Sequence, residues 1–286
     1  MAGLAVLVTV AAAGAAWVLL PRFLPLIEGA GLVRSNFRGQ PVPAAAGTAL
    51  ALIYGASLLA LVAAGAWRGL PRGEAGLGGG PPDPVLVSLF VVTAGMALVG
   101  LADDVFGDRT ATGLGGHWRR LLSGRVTTGA LKALFGGIVG LAAGSLLAET
   151  LVDLIANALL IPLLANAVNL LDVRPGRAVK GFFGAIGLFW IAAPGHPGWP
   201  YVAPLLAAVA VYLPYDLQAR AMLGDTGANL LGGVAGVAAA AALSPLARAA
   251  LLAVLLAVHV LAEQRSLSDV IERVPPLHWL DRWGRE

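Results

Sequence analysis

The sequence predicts an all-α, polytopic membrane protein, a helical bundle with about nine transmembrane helices. Three observations carry this. The chain is 58% hydrophobic and only 12% charged, with a mean hydropathy of +0.82. A soluble domain carries about 25% charged and about 45–50% apolar residues. Apolar runs long enough, or nearly so, to cross about 30 Å of hydrocarbon recur along the chain. The positive charges, finally, are segregated between alternate loops. Backbone exposed to lipid must satisfy its own hydrogen bonds, and runs this uniformly apolar are helices, not alternating barrel strands. The chain has no cysteine, which excludes disulfides, thiol catalysis and cysteine-ligated metals.

The runs are Ala2–Leu20, Ala44–Trp67, Val85–Ala102, Thr128–Ala148, Leu151–Leu171, Val179–Ala193, Tyr201–Tyr215, Ala228–Leu243 and Leu246–Ala262. Those at 179–193 and 201–215 are short. The first has no Lys or Arg ahead of it and meets Arg22 on its far side, so it reads as a retained span and not a cleaved leader. Nine crossings create two sets of loops. One set holds Arg34, Arg38, Arg109, Arg119, Arg120, Arg125, Arg174, Arg177, Lys180, Arg220, Arg265, Arg273, Arg282 and Arg285. The other holds Arg68, Arg72 and Arg248 alone. The positive-inside rule then puts the first set in the cytoplasm and the N-terminus outside. The expected location is the inner or plasma membrane, crossed many times. Losing one span would destroy the asymmetry, so the bias supports the count as well as the orientation.

The outer loop 68–84 is Gly/Pro-rich and reads as a flexible connector. Residues 1–262 form the transmembrane domain, and 263–286 form a cytoplasmic, amphipathic tail lying at the interface. In that tail Leu267, Val270, Ile271 and Val274 keep helical spacing behind a Ser266-x-x-Asp269 capping box. Pro275-Pro276 breaks the pattern before the aromatic anchor of Trp279 and Trp283.

Most polar residues that do not simply solvate a loop fall at the cytoplasmic ends. Asp103, Asp104 and Asp108 follow the third span. Asn166, Asn169 and Asp172 close the fifth and recur at three-residue spacing on one helical face. Asp225 lies in Gly224-Asp225-Thr226-Gly227 before the eighth, and Lys132 is a few residues into the fourth. Each has a plain structural alternative. The asparagines could join helices, the aspartate pair could be a solvated helix end, and Lys132 could snorkel to the interface. Asp225 could belong to a turn followed by a cap. Together they fit one chemistry. Carboxylates beside an aqueous cavity hold Mg²⁺, which bridges readily to phosphates. Backbone N–H groups of Gly224 and Thr226 at a helix start form a natural anion site, and basic loop residues offset substrate charge. This suggests a diphosphate or nucleotide reacting at the membrane face, with no nucleic-acid partner expected. His117, His196, His259 and His278 are scattered and carry no expected role.

At these residues the chain resembles the polyprenyl-phosphate N-acetylhexosamine-1-phosphate transferases, the family that includes phospho-N-acetylmuramoyl-pentapeptide transferase. The resemblance rests on Asp103-Asp104 closing one span, Asn166-x-x-Asn169-Leu-x-Asp172 closing a later one and Gly224-Asp225-Thr226-Gly227 opening another. Arg38–Gly47 is similar to the family's first cytoplasmic loop, and Lys132 matches a lysine after the aspartate loop. The likeness runs over roughly residues 34–235. It implies transfer of a sugar-1-phosphate from a UDP-amino sugar to polyprenyl (undecaprenyl) phosphate, releasing UMP and starting a lipid-linked envelope glycan. It implies Mg²⁺ on Asp225 and Asp104, with Asp103 and Asp104 positioning or deprotonating the lipid phosphate. Lys132 would contact phosphate, and Asn166, Asn169 and Asp172 would shape the nucleotide pocket beside Gly224 and Thr226. Arg38 stands near the family's usual Lys or His. Related enzymes are often dimers, so a homodimer is an expected assembly.

The chain also departs from the pattern. After Asp172 it reads Val-Arg-Pro-Gly-Arg, with Pro175 in place of a second aspartate. Met222 stands where an aromatic often flanks the uracil, and Ala228 where Ser is usual. The histidine cluster of the muramoyl-pentapeptide branch is absent, so the donor sugar stays open. Arg174 and Arg177 are expected to supply diphosphate contacts in the altered loop. The alternatives are a family member that binds polyprenyl phosphate or nucleotide without turnover, and an ion-coupled transporter. The transporter ranks last because it calls for acids near mid-membrane.

Overall fold

The computed structural model describes residues 2–69, 83–107 and 128–285. Asp108, Arg109, His117, Arg119, Arg120, Arg125 and most of the predicted connector 68–84 lie outside them. All nine predicted runs are helical: α1 (Ala2–Gly29), α2 (Gly47–Gly69), α3 (Pro84–Phe106), α4 (Thr128–Ser145), α5 (Leu151–Leu171), α6 (Arg177–Ala192), α7 (Trp199–Leu217), α8 (Gly224–Ala242) and α9 (Pro245–Gln264). The tail forms α10 (Leu267–Arg273) and α11 (Pro275–Arg282).

Boundaries follow local chemistry. Asp83, ahead of Pro84, accepts from the Val85 N–H at 2.9 Å. Thr150 accepts from Asp153 at 3.1 Å, and Ser244 from Ala247 at 3.3 Å. These side chains satisfy amides that have no partner inside the helix. The expected Ser266 cap is present, accepting from Asp269 at 3.4 Å. Pro275-Pro276 opens a second short helix, because a missing N–H costs nothing in a first turn. α1 runs past its predicted end at Leu20 to Gly29, with Pro21 and Pro25 inside it.

Six of the described helices, α1, α2, α3, α5, α7 and α9, are long and apolar enough to cross a membrane. α4 and α6 are shorter, at 18 and 16 residues. α8 has 19 residues rich in Gly and Ala, and every residue from Thr226 to Ala240 is buried. The reason is its place: it is the central helix, wrapped mainly by α3 and α5, so its surroundings are protein and it needs no greasy surface. Small residues permit that closeness. A Cβ on Gly232 would stand 2.3 Å from the Leu164 carbonyl oxygen of α5, and one on Gly100 of α3 would stand 2.4 Å from the Thr226 Cα. Around the outside, Trp17, Leu52, Leu98, Val152, Trp190 and Val254 are exposed, a belt suited to hydrocarbon and not to water. The chain is a multi-pass helical membrane protein.

The helices alternate in direction. The C-terminal ends of α3, α5 and α7 meet the N-terminal ends of α2, α4, α6 and α8 at one end of the bundle. The starts of α3, α5, α7 and α9 lie at the other. There Tyr201 donates to Asp83 at 2.9 Å, and Arg248 reaches Asn157 at 2.9 Å and Asp153 at 2.6 Å.

One element had no sequence signal. Between α1 and α2 lie β1 (Val33–Ser35) and β2 (Pro41–Pro43), paired antiparallel with Arg34 opposite Val42. Asn36 closes the turn by accepting from the amides of Arg38 and Gln40 at 2.9 and 3.0 Å. Its amide donates to the Ala219 carbonyl at 3.1 Å. Met222 N–H donates to Pro43 at 2.8 Å, and Gly47 N–H to Leu223 at 2.9 Å. The hairpin is thereby joined to the α7–α8 connector.

Candidate active site

The connector delivers the start of α8 into the end of the bundle where the arginine-rich loops lie. Leu223 precedes the helix and offers no capping side chain. Asp104, at the end of α3, supplies the cap instead. Its Oδ1 accepts from the Asp225 N–H at 3.0 Å, and its Oδ2 accepts from the Thr226 N–H at 2.9 Å and the Thr226 hydroxyl at 2.7 Å. The Gly224 amide faces Asp172. Carboxylates at a helix N-terminus also answer its dipole. Of the two amides expected to face a substrate anion, that of Thr226 therefore already holds a protein carboxylate, and that of Gly224 lies against another.

Asp103, one residue earlier on α3, does something different. Lys132 of α4 donates to its Oδ2 at 3.2 Å and, more closely, to Oδ1 of Asp225. Asn169 of α5 also hydrogen-bonds the Asp225 carboxylate. Arg34 of β1 approaches from the hairpin, at 3.5 Å from Asp104 and 3.8 Å from Asp225. Side-chain exposure runs from 18% to 27% for Lys132, Asp103, Asp225 and Arg34, against 2% for Asp104. The adjacent aspartates have divided: one closes a helix, the other faces a cation at a partly open surface.

Among the described residues no group of three or more His, Cys, Asp or Glu is arranged to hold a metal. Mg²⁺ in phosphate sites, however, usually takes one or two carboxylates and fills its other positions with water and phosphate. Asp103 and Asp225 converge on one positive nitrogen, so this donor set fits. Asp104, expected to join Asp225 on the metal, has its oxygens engaged by α8. Asp103 shares Lys132 with Asp225, while Asp104 shares only the longer approach of Arg34.

A pocket beside this cluster is lined by Asn36, Phe37, Asp172, Arg174, Asp216 and Met222, among others. Asp172, one residue past α5, is pushed well above the usual carboxylate range, first by burial and then by the charges of Asp216 and Asp225. Asp216 is itself buried, and among the described residues its Oδ2 has no hydrogen-bond partner.

Other expected residues lie elsewhere. Asn166 is exposed and takes no part in the hydrogen-bonded cluster. Three-residue steps fall short of the 3.6-residue turn, so Asn166 stands roughly 120° around α5 from Asp172. Arg177 is buried and ion-paired to Asp281 of the tail at 2.8 Å, which withdraws it from a substrate diphosphate. Arg174 remains exposed at the pocket. Arg38 is exposed in the hairpin turn with its guanidinium 5.1 Å from the Phe37 ring centroid, and Arg34 of the same hairpin lies 3.5 Å from Asp104 and 3.8 Å from Asp225. Sequence reasoning counted Arg34 only as a loop charge, and it passed over Asp216. The isolated acid ending the apolar run L-P-Y-D was a usable signal for Asp216. The family resemblance pointed to Arg38, and no local signal marked Arg34.

A helical membrane bundle with carboxylates and shared cations gathered at one end is the frame of a membrane-embedded phosphotransferase. Residues 86–243 match Glycosyl transferase family 4, over more than half of the chain, and the chain belongs to that family. It is accordingly a transferase of the polyprenyl-phosphate sugar-1-phosphate class. No curated protein matches the chain. The matched segment contains Asp103, Asp104, Lys132, Asn169, Asp172 and Asp225, and it excludes Arg34 and the tail.

Proposed function

We propose that this protein transfers a sugar-1-phosphate from a UDP-amino sugar to undecaprenyl or a similar polyprenyl phosphate at the cytoplasmic face of the plasma membrane. UMP leaves, and the lipid-linked product starts an envelope glycan. The observation that carries this is the convergence of Asp103, Lys132, Asp225 and Arg34, from four separate segments, beside a pocket that reaches Asp172.

In this reading an oxygen of the lipid phosphate attacks the sugar-linked phosphorus of the donor. The bond from that phosphorus to the bridging oxygen breaks, and the bridging oxygen leaves on UMP. Such transfers depend mainly on alignment and charge neutralisation. Lys132 and Arg34 face the donor diphosphate as cations. Asp103 orients the acceptor phosphate and accepts its proton where one is present. Asp104 keeps the start of α8, and with it Asp225, in register. Asp172 and Arg174 border the nucleotide. Asp225 and Asp103 would hold Mg²⁺, which supplies neutralisation of the diphosphate oxygens when bound.

The test is UMP release by purified protein with undecaprenyl phosphate, Mg²⁺ and a panel of UDP-sugars, with Asp225→Ala alongside. Release with one donor, abolished by EDTA and by the substitution, is the expected result. A second reading, binding of lipid phosphate without turnover, draws on Lys132 occupying the point between the two carboxylates. Silence across the panel from folded protein that still binds lipid phosphate would select it.

A further inference from the structure

The tail does more than lie on the bundle. Arg177 is the first residue of α6, where a cation opposes the helix dipole, so its presence there calls for a reason outside α6. Its partner is Asp281 of α11: Nε donates to Oδ1 at 2.8 Å and Nη2 to Oδ2 at 2.9 Å, while Nη1 reaches the Ser268 hydroxyl at 2.8 Å. Lys180, one turn on, donates to the carbonyls of Leu280, Asp281 and Trp283 at 2.9, 2.7 and 3.1 Å. Those belong to the C-terminal end of α11, where a cation is favoured. Arg285 completes the cluster, donating to the Asp281 carboxylate and, at 2.7 Å, to the Pro175 carbonyl.

Asp172–Arg177 is the loop that borders the pocket. Its middle has little packing of its own: Val173 is 57% exposed, and Arg174 is exposed as well. Polar anchors hold it instead. Asp172 lies against the Gly224 amide and Asp216 against the Gly176 amide. The two remaining anchors, at Pro175 and Arg177, come from the tail. Gly176, at φ +72°, and Gly284, at φ +75°, both sit on Leu217 of α7, where a Cβ on Gly176 would come within 2.4 Å.

Resting on the reading of this pocket as the donor site, we propose that the tail is a clamp that sets the Asp172–Arg177 loop for the donor, with Asp281 its positioning residue. A bidentate pair with both partners buried holds a fixed geometry. Removing one partner leaves the other charge uncompensated, so the clamp releases as a unit.

Asp281→Asn in the full chain tests this, with Asp281→Glu as the conservative variant. A protease site introduced at 264–266 cuts the tail from protein that has already folded. The expected result is amide exchange at 173–177 faster by about tenfold or more, in both the Asn variant and the cut protein and less so in the Glu variant. The donor KM should rise about tenfold, with kcat and the KM for polyprenyl phosphate within about twofold. Unchanged exchange in the loop would overturn the clamp. So would faster exchange with an unchanged donor KM. If the wild type releases no UMP, the transferase reading fails, and exchange at 173–177 still decides whether the tail holds the loop.

Discussion

The two ends of the bundle handle charge in opposite ways. At the end away from the connector, Arg248 is buried and meets Asp153 and Asn157 of one neighbouring helix. Tyr201 there meets Asp83. Each contact joins two helices. At the other end Lys132 serves two carboxylates, Arg34 lies near two, Asp104 is held by backbone amides of α8, and Asp172 lies against the Gly224 amide. The contributors come from β1, α3, α4, α5 and α8. A structural cation spends its contacts on one neighbouring helix. An end that shares its cations and leaves them partly open keeps capacity for a charged ligand.

Substitution should split the ends. Asp225→Ala is expected to lower UMP release by about a hundred- to a thousandfold, with thermal unfolding in detergent little changed. Arg248→Met should do the reverse, lowering the unfolding midpoint by several degrees while activity per folded molecule stays constant. If both variants lost activity in proportion to fold, the contrast would collapse.

The aspartate pair sharpens the comparison within one end. Asp104→Ala removes the cap and should cost about 1 kcal/mol of stability in addition to activity. Asp103→Asn should cost activity alone. Equal unfolding midpoints for the two would contradict the division of labour between neighbours on α3.

The smallest effect concerns pH. Burial pushes the Asp281 carboxyl up, but the hydrogen bonds and charges of Arg177 and Arg285 outweigh it and hold it down at about 2. A carboxylate depressed in the folded state stabilises fully above its unfolded pKa of about 4 and loses that contribution as pH falls towards about 2. The Asp281 contribution to tail docking, followed by exchange at 267–285, is therefore expected to be lost as pH falls below about 4. Release near neutrality would mean that another group governs it.

Much of this was legible in one dimension. Helix positions follow from apolar runs, because lipid and core both reward contiguous hydrophobic length. The capping side chain at Ser266 acts within three residues of its target. Asp103, Asp104, Lys132, Asn169, Asp172 and Asp225 stood out because acids and lysines are costly near hydrocarbon. Asn166 stands apart from the cluster for a reason equally local, the drift of a three-residue spacing around a 3.6-residue turn.

Other features depend on residues far apart in sequence. Asp104 became a helix cap because α8 begins without one, some 120 positions later. Arg177 was read as a substrate contact since nothing near it shows that Asp281, 104 residues on, lies against it. The three-residue strands that bring in Arg34 are too short to leave a period. The sequence by itself determined the membrane bundle, its alternating loops and the list of costly polar residues, since burial and hydration act on composition and spacing. Only the tertiary structure decided which carboxylate caps, which faces a shared cation and which arginine clamps the tail. Coulombic and hydrogen-bond contacts depend on distances of a few ångströms between segments, and no spacing along the chain encodes them.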